Sequence, residues 1–187
     1  MENEELLSKK RAIELWQSGR INEIEVGTTK GLQEIHHFLF QDVFDFAGKI
    51  RSVDLAKGNF RFAPVIYLKD TLKTIDNLPE NTFEEIVKKY VEMNVAHPFR
   101  EGNGRATRIW LDLILKKNLK KCVDWSKINK EDYLSAMERS PINSLEIKTL
   151  LESALTDKIE DREVYMKGIQ ASYEYEEESE YDVHKLF

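Results

Sequence analysis

The feature that most limits how this chain can fold is a stretch near its middle in which Ile109, Trp110, Leu111, Leu113, Ile114 and Leu115 leave a helix apolar nearly all round. A surface helix shows one apolar stripe; one without a polar face has to lie at the centre of the domain, covered by others. The rest of the chain supplies those covers. Leu32, Ile35, His36, Leu39 and Phe40 recur at helical spacing as one buried stripe. Residues 4–18 carry Leu6, Ile13 and Trp16 in a more polar helix that Gly19 ends as a left-handed cap. Leu68, Leu72 and Ile75 mark a helix ending near Asn77. Thr82-Phe83-Glu84-Glu85 is a capping box, and the helix it opens puts Phe83, Ile86, Val87, Tyr90 and Val91 on one face and runs to about Val95. Further helices are predicted near 130–139, over 144–155 (started by Asn143, with Glu146 three residues on) and over 160–176. No repeat or linker divides the chain, so residues 1–187 are expected to form one mostly helical domain ending in an acidic tail over 177–187.

The helical pattern breaks over residues 48–66. Gly48, Gly58 and Pro64 punctuate two alternating runs, Arg51–Leu55 and Asn59–Phe62, which predict a β-hairpin around Lys57-Gly58. Aromatic side chains share one face of the second run, leaving an edge where an extended peptide could pair. Charge narrows the function. With 28 basic against 34 acidic residues and a net charge of -6, the chain lacks the basic surface of a general nucleic-acid binder. Neither a signal peptide nor a membrane-length apolar stretch is visible, so a cytoplasmic setting without a membrane partner is expected. The lone Cys122 cannot form an intrachain disulfide, and no histidine stands at nucleophile spacing to it, so partial burial is its expected role. His36 and His37 have no cysteine or carboxylate at ligand spacing and read as packed, structural histidines.

The chemistry concentrates in His97-Pro98-Phe99-Arg100-Glu101-Gly102-Asn103-Gly104-Arg105-Ala106-Thr107-Arg108. Gly102 and Gly104 let successive amides turn inward as an anion nest, and the helix beginning there adds its positive end. Arg105 and Arg108, three apart, share a face and can clamp a polyphosphate. Glu101 is a single carboxylate, which together with phosphate oxygens is a common way of holding Mg²⁺. His97 has an unperturbed pKa suited to taking a proton from a hydroxyl. Phe99 has no chemistry to offer and anchors the loop in the core. A base, a metal ligand, an anion nest and two cationic clamps are the parts phosphoryl chemistry needs. We therefore expect the segment to bind the phosphates of a nucleotide and to carry out phosphoryl chemistry there.

These residues resemble the Fic family, whose pattern is His-x-Phe-x-(Asp/Glu)-Gly-Asn-Gly-Arg-x-x-Arg. His97, Phe99, Glu101, Gly102, Asn103, Gly104, Arg105 and Arg108 match without a gap, with glutamate in place of the commoner aspartate. Phe46–Arg51 looks like the family's lead into its hairpin. Residues 57–63, with Lys57, Gly58, Asn59, Phe60, Arg61 and Phe62, look like the flap that covers its active site. The resemblance spans roughly residues 27–176. It implies the all-α Fic fold with one β-hairpin flap, and AMP transfer from ATP, with Mg²⁺, to a tyrosine, threonine or serine hydroxyl of a target protein. By it His97 is the base, Glu101 the metal ligand, Asn103 and the loop amides hold the α-phosphate, and Arg105 and Arg108 hold the β- and γ-phosphates. The flap pairs with the target's backbone.

A second resemblance lies at the C-terminus. Tyr165, Ile169, Ser172 and Glu176 are spaced to share one helical face. Ser172-x-x-x-Glu176 resembles the inhibitory helix of single-domain (class III) Fic proteins, with Glu177 where the pattern has Gly or Asn. It implies a brake in which Glu176 pairs with Arg108 and takes the place of the γ-phosphate. The bland alternative is a solvated acidic tail. Tyr173 and Tyr175 would become self-modification sites if that helix unfolds. Relatives of this kind act on essential proteins, type II topoisomerases among them. Whether the chain forms a homo-oligomer is left open. So are three rivals using the same pocket: a phosphotransferase, whose relatives carry lysine at the position of Gly104, an AMP-removing enzyme, and a non-catalytic nucleotide-binding module.

Overall fold

In the computed structural model, which describes residues 3–58 and 60–186, most helices begin where a side chain meets their exposed amides or a proline fixes the entering backbone. Asn3 accepts from the Leu6 amide and opens α1 (Glu4–Gln17). Thr28 does the same for α2 (Thr29–Phe40), and Pro64 precedes α3 (Val65–Asp76). The Thr82–Glu85 capping box opens α4 (Phe83–Ala96). There follow α5 (Asn103–Leu119), α6 (Lys130–Arg139), α7 (Leu145–Ser153) and α8 (Arg162–Tyr175). The apolar helix is α5, which packs against α2, α4 and α8. Trp110, Leu111, Ile114 and Leu115 are fully enclosed there, each worth about 1.5–3 kcal/mol of burial. The Trp110 indole donates to the Thr28 carbonyl at 3.0 Å, so α5 is bonded as well as packed to the start of α2. Among the described residues no helix is long and apolar enough to cross a membrane.

Two local expectations need correction. The hairpin pairs only β1 (Ala56–Lys57) with β2 (Phe60–Arg61), in the register Ala56↔Arg61 and Lys57↔Phe60. Its first strand is not Arg51–Leu55, because Arg51 turns inward and its amide bonds the Pro98 carbonyl at 2.8 Å. Helix α7 ends at Ser153 rather than 155, because Leu155 belongs to a second strand pair. There β3 (Cys122–Val123) runs antiparallel to β4 (Leu155–Thr156). Asp112, the one carboxylate inside α5's apolar run, holds this corner: its oxygens accept from the Val123 amide and the Trp125 indole, each at 2.8 Å. Burial pushes its carboxyl up to about 7. Burial and Asp112 also push the half-buried Cys122 thiol up to about 12, which leaves it unreactive.

The end of α8 is a left-handed turn. Glu177 has φ 63°, and the Glu177 and Glu178 amides donate back to the Glu174 and Tyr173 carbonyls, each at 2.9 Å. That double bond pattern is the turn in which glycine is favoured. The residues beyond it do not trail into solvent. The enclosed Lys9 of α1 donates to Glu5 at 2.6 Å, to the Tyr181 carbonyl at 2.7 Å and to the Glu178 carbonyl at 3.2 Å. Glu5 in turn accepts from the Tyr181 amide at 2.8 Å, and Val183 is fully buried. Glu177→Gly should therefore raise the unfolding free energy by about 1 kcal/mol, read from the denaturant midpoint. An unchanged or lower midpoint would mean that the surface pair of Glu177 with Lys130 matters more than the backbone.

Candidate active site

The loop between α4 and α5 is held from within. Phe99 is fully buried and stacks on the His36 ring, centroids 3.8 Å apart at 12°. His36 Nδ1 accepts from the Gly48 amide at 2.9 Å. Its Nε2 therefore carries the hydrogen and donates to the Glu101 carbonyl at 2.7 Å. The Asn103 carboxamide grips Phe99 from the other side, accepting from its amide at 2.8 Å and donating to its carbonyl at 2.7 Å. The side chain of Asn103 thus fastens the loop. At Gly102, φ is 85° and a Cβ would lie 2.5 Å from the Phe40 ring, so both backbone and space require glycine. The amides of Asn103, Gly104 and Arg105 open α5 and have no acceptor inside the helix.

Burial pushes His36 from 6.5 down to about 4. The unfolded imidazole binds its proton near pH 6.5 and the folded one only near pH 4, so stability is full above that window and is lost on acidification through it. The loss should approach about 3 kcal/mol. Urea melts at pH 7, 5.5 and 4 check this: His36→Gln should reduce the acid slope by about half, since His97 titrates in the same window, and an equal slope in both proteins would assign it elsewhere.

His97 closes α4 in the left-handed conformation, φ 49°. The flap's Phe62 lies flat on its ring, centroids 3.7 Å apart at 11°. Burial, then the Arg51 guanidinium, pushes the imidazole down to about 4, against weaker upward pulls from the Asn94 carbonyl and Glu176. His97 is therefore neutral at physiological pH. Its Nδ1 is buried with no hydrogen-bond partner among the described residues. Within the flap, Lys57, Gly58 and Arg61 are exposed, Phe60 and Phe62 are half-buried, and Asn59 lies outside the described residues.

Both arginines of α5 are buried and paired with the C-terminal segment. Arg108 donates through Nε to Ser172 Oγ at 2.8 Å and through Nη2 to the Ser172 carbonyl at 2.8 Å and Glu176 at 2.9 Å. Burial alone would raise the Glu176 pKa, but Arg108 brings it below its ordinary value. The same carboxylate lies against the first turn of α5: a Cβ at Gly104 would come within 2.4 Å of Glu176 Oε1. Arg105 pairs with Glu178 and, at 3.2 Å, with Glu101, and Glu4 of α1 lies 3.6 Å away. Burial raises the Glu178 carboxyl despite Arg105. Glu178 is the site residue that sequence reasoning missed, since helical spacing does not continue through the left-handed turn at Glu177. Tyr173 and Tyr175 are enclosed, and the Tyr175 hydroxyl sits between the Trp125 and Ile128 carbonyls at 2.9 and 2.7 Å. Neither hydroxyl is reachable while α8 is folded. The Glu101 side chain is 60% exposed and accepts from the Gly102 amide at 2.9 Å. Among the described residues no group of three metal-ligating side chains is gathered.

A neutral histidine, helix amides without an acceptor inside the helix and two buried guanidiniums thus lie around one glycine turn on a helical scaffold. Residues 27–115 match the Fic/DOC family. A probable protein adenylyltransferase Fic from Salmonella typhimurium is 30% identical over 135 residues, covering 66% of this chain and 67% of that one. The protein adenylyltransferase VbhT of Bartonella schoenbuchensis is 34% identical over 137 residues, which are 66% of this chain but 27% of VbhT. Among solved structures, the BepC protein of Bartonella tribocorum with bound AMPPNP superposes with a TM-score of 0.63 at 22% identity, covering 79% of this chain and 84% of that one. The N-terminal Fic domain of a Bep effector from Bartonella sp. AR 15-3 gives a TM-score of 0.67 at 22% identity, with 80% of each chain covered. The chain belongs to the Fic/DOC family.

Proposed function

We propose that this protein is a protein adenylyltransferase, moving AMP from ATP to a hydroxyl side chain of a target protein, and that its C-terminal segment restrains it. The observation that carries the reading is that the first turn of α5 gathers amides without a helical acceptor with the buried Arg105 and Arg108, beside a Glu176 carboxylate that also faces His97. The amides receive the α-phosphate, and the two guanidiniums receive the phosphates beyond it. His97 takes the proton of the target hydroxyl, whose oxygen attacks the α-phosphorus. The bond to the bridging oxygen breaks, and pyrophosphate leaves with its charge against the arginines. The triphosphate's negative charge also raises the affinity of His97 for a proton, restoring a base that is weak in the empty site. A single exposed carboxylate, Glu101, suits Mg²⁺ held mainly by phosphate oxygens and water, and the ion would offset phosphate charge there.

In the structure both clamps are engaged by carboxylates, Arg108 by Glu176 and Arg105 by Glu178. Restraint is competition: outer phosphates must displace buried ion pairs, and a nucleotide that avoids them binds with its α-phosphate out of line. The acceptor is an extended segment of a cytoplasmic protein paired along the flap, and type II topoisomerase subunits are candidates by family resemblance. Modification of Tyr173 or Tyr175 requires α8 to unfold first, so AMP on either tyrosine would report release of the brake.

The test is label transfer from ATP carrying its label on the α- or the γ-phosphate, using Glu176→Gly in a bacterial lysate with Mg²⁺. Label passing to protein from α-labelled ATP alone supports AMP transfer. Label from γ-labelled ATP alone would replace the reading with a phosphotransferase.

A further inference from the structure

Arg51 is a buried guanidinium, 4% exposed, whose hydrogens go to four backbone carbonyls, with no carboxylate at ion-pair distance among the described residues and only Asp54 acting on it through space. Its Nε donates to His97 at 2.7 Å and its Nη2 to Ala96 at 2.9 Å, the last two residues of the α4 end. The same Nη2 donates to Ala63 at 2.6 Å, the last residue of the flap, and Nη1 donates to Val53 at 2.7 Å, on the segment leading into it. The Ala63 amide donates to the Val95 carbonyl at 3.0 Å, completing the joint. A helix C-terminus leaves its last carbonyls unbonded and carries a partial negative charge, so a planar cationic fork suits it. A helix cap alone, however, would not reach both ends of the flap.

We propose that Arg51 is the positioning residue of this active site, locking the His97 backbone to both ends of the flap so that the base and the strand presenting the acceptor hydroxyl keep one spacing. This rests on the reading of His97 as base and of the hairpin as the acceptor's dock. Phe62 stacked on His97 is the visible result of that lock. Arg51 also places a fixed positive charge beside the imidazole, favouring its neutral form. The other charged groups facing the ring are Lys57 of the flap, which acts in the same sense, and Glu176 from the end of α8, which opposes it.

The experiment compares Arg51→Lys and Arg51→Met in the full-length Glu176→Gly protein. It measures AMP transfer, ATP affinity, thermal melting and the NMR titration of the His97 ring. Arg51→Lys keeps the charge but cannot span four carbonyls. It should lose the ring-current shift that Phe62 imposes on His97 and lower kcat about a hundredfold, with ATP affinity little changed. Arg51→Met should in addition raise the His97 pKa. A ring-current shift and kcat unchanged in Arg51→Lys would overturn the proposal. So would a His97 titration identical in Arg51→Met and its parent. The ring signals need no turnover, so they decide the role of Arg51 even if the parent transfers no AMP. If Arg51→Met does not fold, the Arg51→Lys ring shift decides alone.

Discussion

Glu176→Gly should raise the rate of label transfer from α-labelled ATP about a hundredfold over the unaltered chain. The carboxylate removed is bonded to Arg108 at 2.9 Å and pressed against the first turn of α5, the place the proposed function gives to a phosphate. Removing it leaves Arg108 held by Ser172 and by the Tyr133 hydroxyl at 3.2 Å, so the guanidinium keeps its place while gaining a free direction toward solvent. Truncating one partner of a buried pair commonly costs about 3–5 kcal/mol because the other charge is stranded. Here the loss should be smaller without nucleotide, as three neutral acceptors remain, and should shrink further when ATP supplies the missing anion. The variant should thus melt lower than the parent when empty and be stabilised more by ATP. Glu178→Gln, freeing only Arg105, should give a smaller gain in rate, because Glu176 still crowds Gly104. Equal transfer by Glu176→Gly and its parent would refute the brake and leave the C-terminal contacts as packing.

In that released background, His97→Ala should lower transfer by about 10²–10⁴-fold, the usual worth of a positioned general base, while ATP binding persists. The expectation of intact binding follows from how the loop is built. Arg51 grips the His97 carbonyl, Asn103 grips the Phe99 peptide and His36 grips the Glu101 carbonyl, and none of these bonds uses the His97 ring. Alanine removes the ring under Phe62 and little else. Isothermal titration with a non-hydrolysable ATP analogue would check binding, and α-label transfer would check rate. Loss of both together would mean that His97 shapes the pocket rather than accepting a proton.

The helices were legible because their signals are local: periodic apolar faces, a capping box at Thr82–Glu85, a left-handed Gly19. The loop was legible because all its chemistry falls within one stretch, so reading it required no tertiary pairing. Ser172 and Glu176 could be placed on one face because helical spacing carries through α8. What escaped depends on contacts between distant segments. Arg51 alternates with its neighbours like a strand residue, yet its four carbonyl partners have no side-chain signature, so nothing marked it as a joint. Leu155 continues the helical spacing of α7, while its pairing with Val123 depends on Asp112, far away in sequence. Glu178 stands in an acidic run, a pattern that usually marks a solvated tail. Lys9 and Glu5, near the opposite end of the chain, hold it at Arg105 instead.

Gly104 touches the Glu176 carboxylate closely enough that a Cβ there would displace the end of that side chain. A side chain at 104 would have to push the carboxylate aside, and the carboxylate it pushes is the one bonded to Arg108. The narrowest point of the loop and the hold on the guanidinium are thus one contact, and neither can be altered without moving the other.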